Sequence, residues 1–291
     1  MTLDRSSIKT VAANGLEFAY YELGSGPLAL CFHGFPDSPE SWAALLPRLA
    51  DAGYRAVAPF MRGYPPTGIP ADGDYFSDVL GEDVLALISA LGEESAVLIG
   101  HDWGASAVYA ATARAPERVR KLVAVAVPQP SALLPTPALL WGVRHFLEFQ
   151  RRQHTIDTIR TDDLAFLRRI YRRWSPNWTP AEHEFDGVRA CWQPPGAIEA
   201  TLGYYWSLLA TGFGARSRAF SKSLARKVDV PTLVVVGEAD HAIPAKAFSR
   251  AARWFTGPYQ LLTVPNAGHF VHREEPAHVN SAVLEFLGRA A

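Results

Sequence analysis

The 291-residue chain has very little cysteine, only Cys31 and Cys191. Two thiols cannot build the disulfide framework of a small secreted scaffold, and Cys31, inside an apolar run, reads as a small buried hydrophobe. An excess of either charge is missing too. The 28 basic and 29 acidic residues leave a net charge of −1, so no whole-protein field gathers nucleic acid or an anionic membrane. Lysine is scarce, five residues against 23 arginines. No stretch approaches ~18 uninterrupted apolar residues, which leaves no candidate membrane span. The first ten residues are polar and lack the apolar core of a signal peptide. These absences point to a cytoplasmic globular protein, monomer or homodimer, without a nucleic-acid or membrane partner. The chain has ample material for a core: 48% of its residues are hydrophobic, too many for a disordered chain.

Short apolar runs alternate with longer helical patterns. Expected strands cover 16–22, Leu28–Phe32, 54–58, 96–99, 121–127, 232–236 and 260–264. Expected helices cover 40–52, 77–91, 105–115, 245–255 and 276–287. Strand and helix in turn argue for a mostly parallel sheet with helices on both faces. The alternation stops between about 128 and 228. That stretch opens on Pro128, Pro130, Pro135 and Pro137, holds no convincing strand, and carries helical patterns at 139–152, 162–174 and 197–209. Five of the eight tryptophans fall in it (Trp141, Trp174, Trp178, Trp192 and Trp206), so its aromatic content is disproportionate. Eight arginines within 144–173 read as a solvated helix face. The chain therefore divides into a sheet domain, 1–127 plus 228–291, and a helical insertion, 128–227.

The strongest local signal is Gly100-His101-Asp102-Trp103-Gly104, between an expected strand and an expected helix. Small residues two positions either side of Asp102 permit a turn so tight that larger side chains would collide. Such a turn exposes its central side chain at a helix N-terminus, where backbone N–H groups and the helix dipole favour an anion. A carboxylate placed there suits attack on an sp³ carbon. Displacement gives an alkyl ester, whereas attack on an ester carbonyl would give an anhydride. An aspartate nucleophile therefore points to epoxides or alkyl halides rather than esters or amides. A second motif, Phe32-His33-Gly34-Phe35-Pro36, directly follows a buried strand. His269 and His272 form a His-x-x-His pair, but no third ligand has suitable spacing, so neither a metal nor another cofactor is expected.

His33-Gly34-Phe35-Pro36 and Gly100-His101-Asp102-Trp103-Gly104, at this separation, resemble the marks of the α/β-hydrolase-fold epoxide hydrolases. The order of elements is similar to that family along essentially the whole chain. The resemblance implies an α/β-hydrolase fold, with 128–227 as a helical cap inserted after the sixth strand. It implies Asp102 as nucleophile and the backbone N–H groups of Phe35 and Trp103 as the oxyanion hole. Asp240 matches the position of the acid, with Glu238 as fallback, and His269 that of the base that activates water. The family also carries two cap donors for the ring oxygen. Gly203-Tyr204-Tyr205-Trp206 matches the context of the second, with Tyr205 aligned and Tyr204 about 100° away around the helix. The first is normally a tyrosine five residues before a glutamine. Here His145 precedes Gln150, a departure from the family pattern, and Tyr171 is the reserve. Trp103, Phe35, Trp141, Phe149, Tyr204 and Trp206 are the candidates to line an apolar cavity. The implied reaction takes a small apolar epoxide and water to a vicinal diol.

Two other readings stay open. Haloalkane and fluoroacetate dehalogenases resemble the chain in their triads. However, Phe35 offers no side-chain donor to a halide, and Trp103 and Ser106 stand where the fluoroacetate enzymes carry carboxylate-binding arginines. A non-catalytic binding protein on the same fold would be expected to have lost part of this constellation.

Overall fold

In the computed structural model, residues 3–161, 165–212 and 214–288 are described. Among the described residues, eight strands form one sheet: β1 Lys9–Ala13, β2 Leu16–Leu23, β3 Leu28–Phe32, β4 Arg55–Pro59, β5 Ala96–His101, β6 Val119–Val125, β7 Thr232–Gly237 and β8 Tyr259–Val264. Their order is β1-β2-β4-β3-β5-β6-β7-β8, antiparallel from β1 to β4 and parallel from there on. β3, β5 and β7 are buried along their whole length, as expected of parallel strands covered on both faces. The helix Ser77–Ala90 packs on Trp103–Arg114, where a Cβ at Gly81 would run into Ala110. On the sheet, Leu46–Asp51 lies beside Pro276–Gly288.

Three elements of the sheet region differ from expectation. β1 lies outside the expected strands because its residues mostly face solvent. Its signature is Asn14-Gly15, whose two positive φ angles let the chain reverse tightly into β2. The single helix expected over 40–52 is two pieces, a 3₁₀ turn Pro39–Trp42 and an α-helix Leu46–Asp51. Pro47 explains the break: it has no N–H to give and its ring would strike the carbonyl of Ala43, so the helix restarts around it. Residues Ala245–Trp254 form 3₁₀ rather than α-helical turns.

Among the described residues, the stretch between β6 and β7 holds helices and no strand: Pro137–Gly142, His145–Glu148, Arg152–Thr161, Ala165–Trp174, Asp186–Trp192, Ala197–Thr211 and Ala215–Leu224. The helix expected over 139–152 is interrupted at Gly142, which packs so tightly on the Ala242 carbonyl that no Cβ would fit. The expected start of the next helix, 162–164, lies outside the described residues. One seam ties this helical region to the loops after β7 and β8. The Trp174 carbonyl accepts from the N–H groups of both His241 and His269, each at 3.2 Å, and Ser175 donates to Glu274 at 2.6 Å. Arg273, whose side chain is almost wholly buried, reaches Asp37 at 3.0 Å, the Tyr171 hydroxyl at 2.6 Å and Glu184 at 2.7 Å.

Candidate active site

The carboxyl ends of β3, β5, β7 and β8 meet at one edge of the sheet, where open α/β sheets place ligands. β5 delivers Asp102 on a sharp turn, with φ 50° and ψ −116°, directly into the helix Trp103–Arg114. The turn depends on its small neighbours. A Cβ at Gly100 would enter the Gly104 backbone, and one at Gly104 would enter the carbonyls of Phe32 and His33. A Cβ at Gly34 would overlap Asp102 itself, so the loop after β3 and the turn after β5 interlock.

That interlock brings the Phe35 N–H to Asp102 Oδ1 at 2.8 Å. Trp103 opens the helix, and the Asp102 side chain accepts no capping hydrogen bond from it. The loop after β7 supplies Asp240, whose Oδ1 accepts from the N–H groups of Ala242 and Ile243 at 2.7 and 2.9 Å. Its Oδ2 accepts from His269 Nδ1 at 2.9 Å. His269 Nε2 then faces Asp102 Oδ2 at 3.6 Å. Burial alone would push the His269 pKa down, but the Asp240 and Asp102 carboxylates outweigh it and raise it to about 10. Burial works to raise the Asp102 pKa, and His269 together with the Phe35 N–H holds it below the ordinary carboxylate value.

Above this arrangement lies an aromatic chamber. The Tyr205 ring meets Phe35, Trp103, His145 and Phe149 edge-on at 5.1, 5.2, 5.4 and 4.9 Å. Its hydroxyl is buried beside the Trp103 side chain with no hydrogen-bond partner among the described residues, and burial first, then the Asp102 charge, raises its pKa well above the usual value. His145 is buried as well, with Nδ1 at 3.2 Å from the Gly142 carbonyl. A carbonyl only accepts, so Nδ1 carries the proton. Burial, then the Arg173 guanidinium, push the His145 pKa down to about 3, and the ring is neutral near pH 7 with a bare Nε2. A cavity of about 500 Å³ opens beside Asp102 and Trp103, walled by Val127, Leu139, Phe146 and Phe220.

Three of the expected lining residues lie elsewhere. Trp141 is 69% exposed, with Arg144 stacked 4.2 Å from its ring centre. It stands two positions from the buried Leu139, about 200° away around the helix. Trp206 faces an outer cleft beside Arg152 and donates Nε1 to the Phe149 carbonyl at 2.9 Å. Tyr204 is buried, but its hydroxyl donates to the Arg62 carbonyl at 2.8 Å. Tyr171, the reserve donor, gives its proton to the Pro36 carbonyl at 3.0 Å and accepts from Arg273. Two participants escape sequence reasoning: Phe146, on the cavity wall, and Arg273, whose partners come from three separate segments.

Residues 27–276 match the alpha/beta hydrolase fold family, and the chain belongs to it. The chain is 40% identical to an epoxide hydrolase of Caballeronia sordidicola, over 95% of this chain and 92% of that one. It is 30% identical to epoxide hydrolase A of Mycobacterium tuberculosis, over 96% of each. Within the family the chain groups with the epoxide hydrolases. The solved epoxide hydrolase of Bacillus megaterium superposes with a TM-score of 0.83, covering 97% of this chain and 100% of that one; at 24% identity this is a likeness of fold.

Proposed function

We propose that the protein is an epoxide hydrolase that opens an apolar epoxide to a vicinal diol through an ester on Asp102, with residues 128–227 acting as a cap over the site. The single observation that carries this reading is the line Asp240–His269–Asp102, with the Phe35 N–H on the far oxygen of Asp102. Asp102 Oδ2 attacks a ring carbon, the carbon–oxygen bond breaks, and the ring oxygen takes the proton of Tyr205. His145, with its one proton committed to Gly142, acts in this scheme by positioning the Tyr205 ring.

Ester formation removes the Asp102 charge, one of the two that hold the His269 proton, so the His269 pKa falls. The proton released restores Tyr205. Neutral His269 then takes a proton from water as the water oxygen attacks the Asp102 carbonyl carbon. The oxyanion rests on the N–H groups of Phe35 and Trp103. Collapse returns that proton to the departing alkoxide, and the newly formed Asp102 acid re-protonates His269. The cycle closes with no net change in the enzyme.

The test is single turnover of a His269→Ala variant with styrene oxide, followed by digestion and mass spectrometry. Retention of the hydroxyalkyl group on the peptide carrying Asp102 is expected, because the ester forms and cannot be cleaved. An unmodified peptide would falsify the reading. Halide release from chloroalkanes by the unmodified enzyme, without epoxide turnover, would move the assignment to a dehalogenase.

A further inference from the structure

Packed against His269 lies a second group of convergent side chains that the reaction does not use. Asp37 comes from the loop after β3, His101 from the last position of β5 and His272 from the segment after β8. One ligand atom from each lies within 4.8 Å of the others, and all three residues are more than nine-tenths buried. Asp37 Oδ2, His101 Nδ1 and both His272 nitrogens have no hydrogen-bond partner among the described residues. Unpaired buried polar atoms are costly, so one from each of three residues within 4.8 Å of one another calls for an occupant.

We propose that Asp37, His101 and His272 form a binding site for a divalent transition-metal ion of the zinc class, a structural site separate from the triad. Two imidazoles and one carboxylate are a donor set such ions accept, with water completing the shell. The supporting contacts fit as well. A metal-ligating histidine usually donates its other N–H to a carbonyl, and His101 Nε2 donates to the His269 carbonyl at 3.1 Å, which leaves Nδ1 with a lone pair. Asp37 accepts from the Ser38 N–H at 2.9 Å and from Arg273 at 3.0 Å, both on Oδ1, which leaves Oδ2 free.

The Arg273 charge is offset by Asp37 and Glu184, so the pocket does not repel a cation outright. An entry path exists: a surface cavity of about 330 Å³ reaches Asp37 and His272. The sequence hides this site because its ligands are 64 and 171 residues apart; the His-x-x-His spacing suggests His269 as the partner of His272, whereas the fold supplies His101. A bound ion would tie together the loops after β3 and β8 and the end of β5.

The test is titration of chelator-treated protein with Zn²⁺ by calorimetry, and with Co²⁺ by visible absorption. One ion per chain is expected, with a Co²⁺ ligand-field band and a rise in melting temperature on Zn²⁺ addition. His272→Gln and Asp37→Asn, each checked for fold by circular dichroism, should weaken binding at least about a hundredfold. No stoichiometric binding by the unmodified chain would overturn the proposal and leave a water as the bridge between these atoms. Binding undiminished in both variants would overturn it too, because it would place the ion on surface histidines. If both variants fail to fold, the Co²⁺ band of the unmodified chain decides, and its absence counts against the site.

Discussion

His269, on the sheet side of the site, and His145, on the helical side, are both nearly cut off from solvent, yet their surroundings drive them in opposite directions. Two carboxylates face His269 and raise its pKa to about 10. At His145 burial, helped by the Arg173 guanidinium, outweighs the Asp102 charge and the Gly142 carbonyl, taking its pKa to about 3. Burial drives both rings toward the neutral form, and only two close carboxylates reverse it. The sheet side thus holds a histidine that keeps its proton, while the helical side holds one that stays neutral.

That contrast can be broken most sharply at Asp102. Asp102→Ala should reduce turnover of an apolar epoxide by about four to six orders of magnitude, the range seen when a nucleophile of a triad is removed. Next comes Tyr205→Phe, which should slow the alkylation phase by about 10²–10⁴-fold in stopped-flow measurements and leave hydrolysis of a preformed ester nearly unchanged. Arg273→Leu attacks the seam between the two sides. It strands Asp37 without its buried partner and should cost about 3–5 kcal/mol in denaturant unfolding. A loss below about 1 kcal/mol would mean that the two sides do not depend on this residue. The smallest effect on rate belongs to His145→Ala, at most about tenfold on alkylation. A loss as large as that of Tyr205→Phe would show that His145 does give up a proton.

The pH dependence of stability sharpens the same comparison. In the unfolded chain each histidine titrates near its ordinary 6.5. Folded His145 resists protonation down to about 3, so the stability it allows is complete above about pH 6.5 and drains as pH falls toward 3. His33 and His101, held to about 4 and 3 by burial, act the same way. Folded His269 keeps its proton up to about 10, so its contribution is complete below about pH 6.5 and is lost as pH rises through 10. Thermal midpoints should therefore fall on both flanks. His269→Gln should flatten the alkaline flank, and His145→Gln should soften the acid one.

The sheet side was far more legible in the sequence than the helical side, and the reason is geometric. The turn at Asp102 requires small residues at fixed offsets, which print a local pattern, and buried parallel strands print continuous apolar runs. Asp240 follows such a strand, whereas His269 follows the half-exposed edge strand β8. On the helical side, position depends on which face of a short helix turns inward. Pro137–Gly142 has six residues, too few to establish a period, and so Trp141 reads as a lining residue while its side chain lies on solvent. Tyr204 and Tyr205 are both buried, and only the fold assigns one hydroxyl to Arg62 and the other to the chamber. Pro47, read as a breaker, would have divided the first helix; Asn14-Gly15, read as a hairpin, would have supplied β1.

The Trp174 carbonyl, which accepts from both His241 and His269, bears on how this enzyme can be recombined with its relatives. A chimera that exchanges 128–227 as a block would replace the residue that presents that carbonyl while leaving both of its donors unchanged. Ser175 and its acceptor Glu274 would be parted in the same way. The natural crossover unit is therefore discontinuous. The stretch 171–178 has to travel with 268–274, and a library that respects this pairing should yield many more active recombinants than one cut at the ends of the insertion.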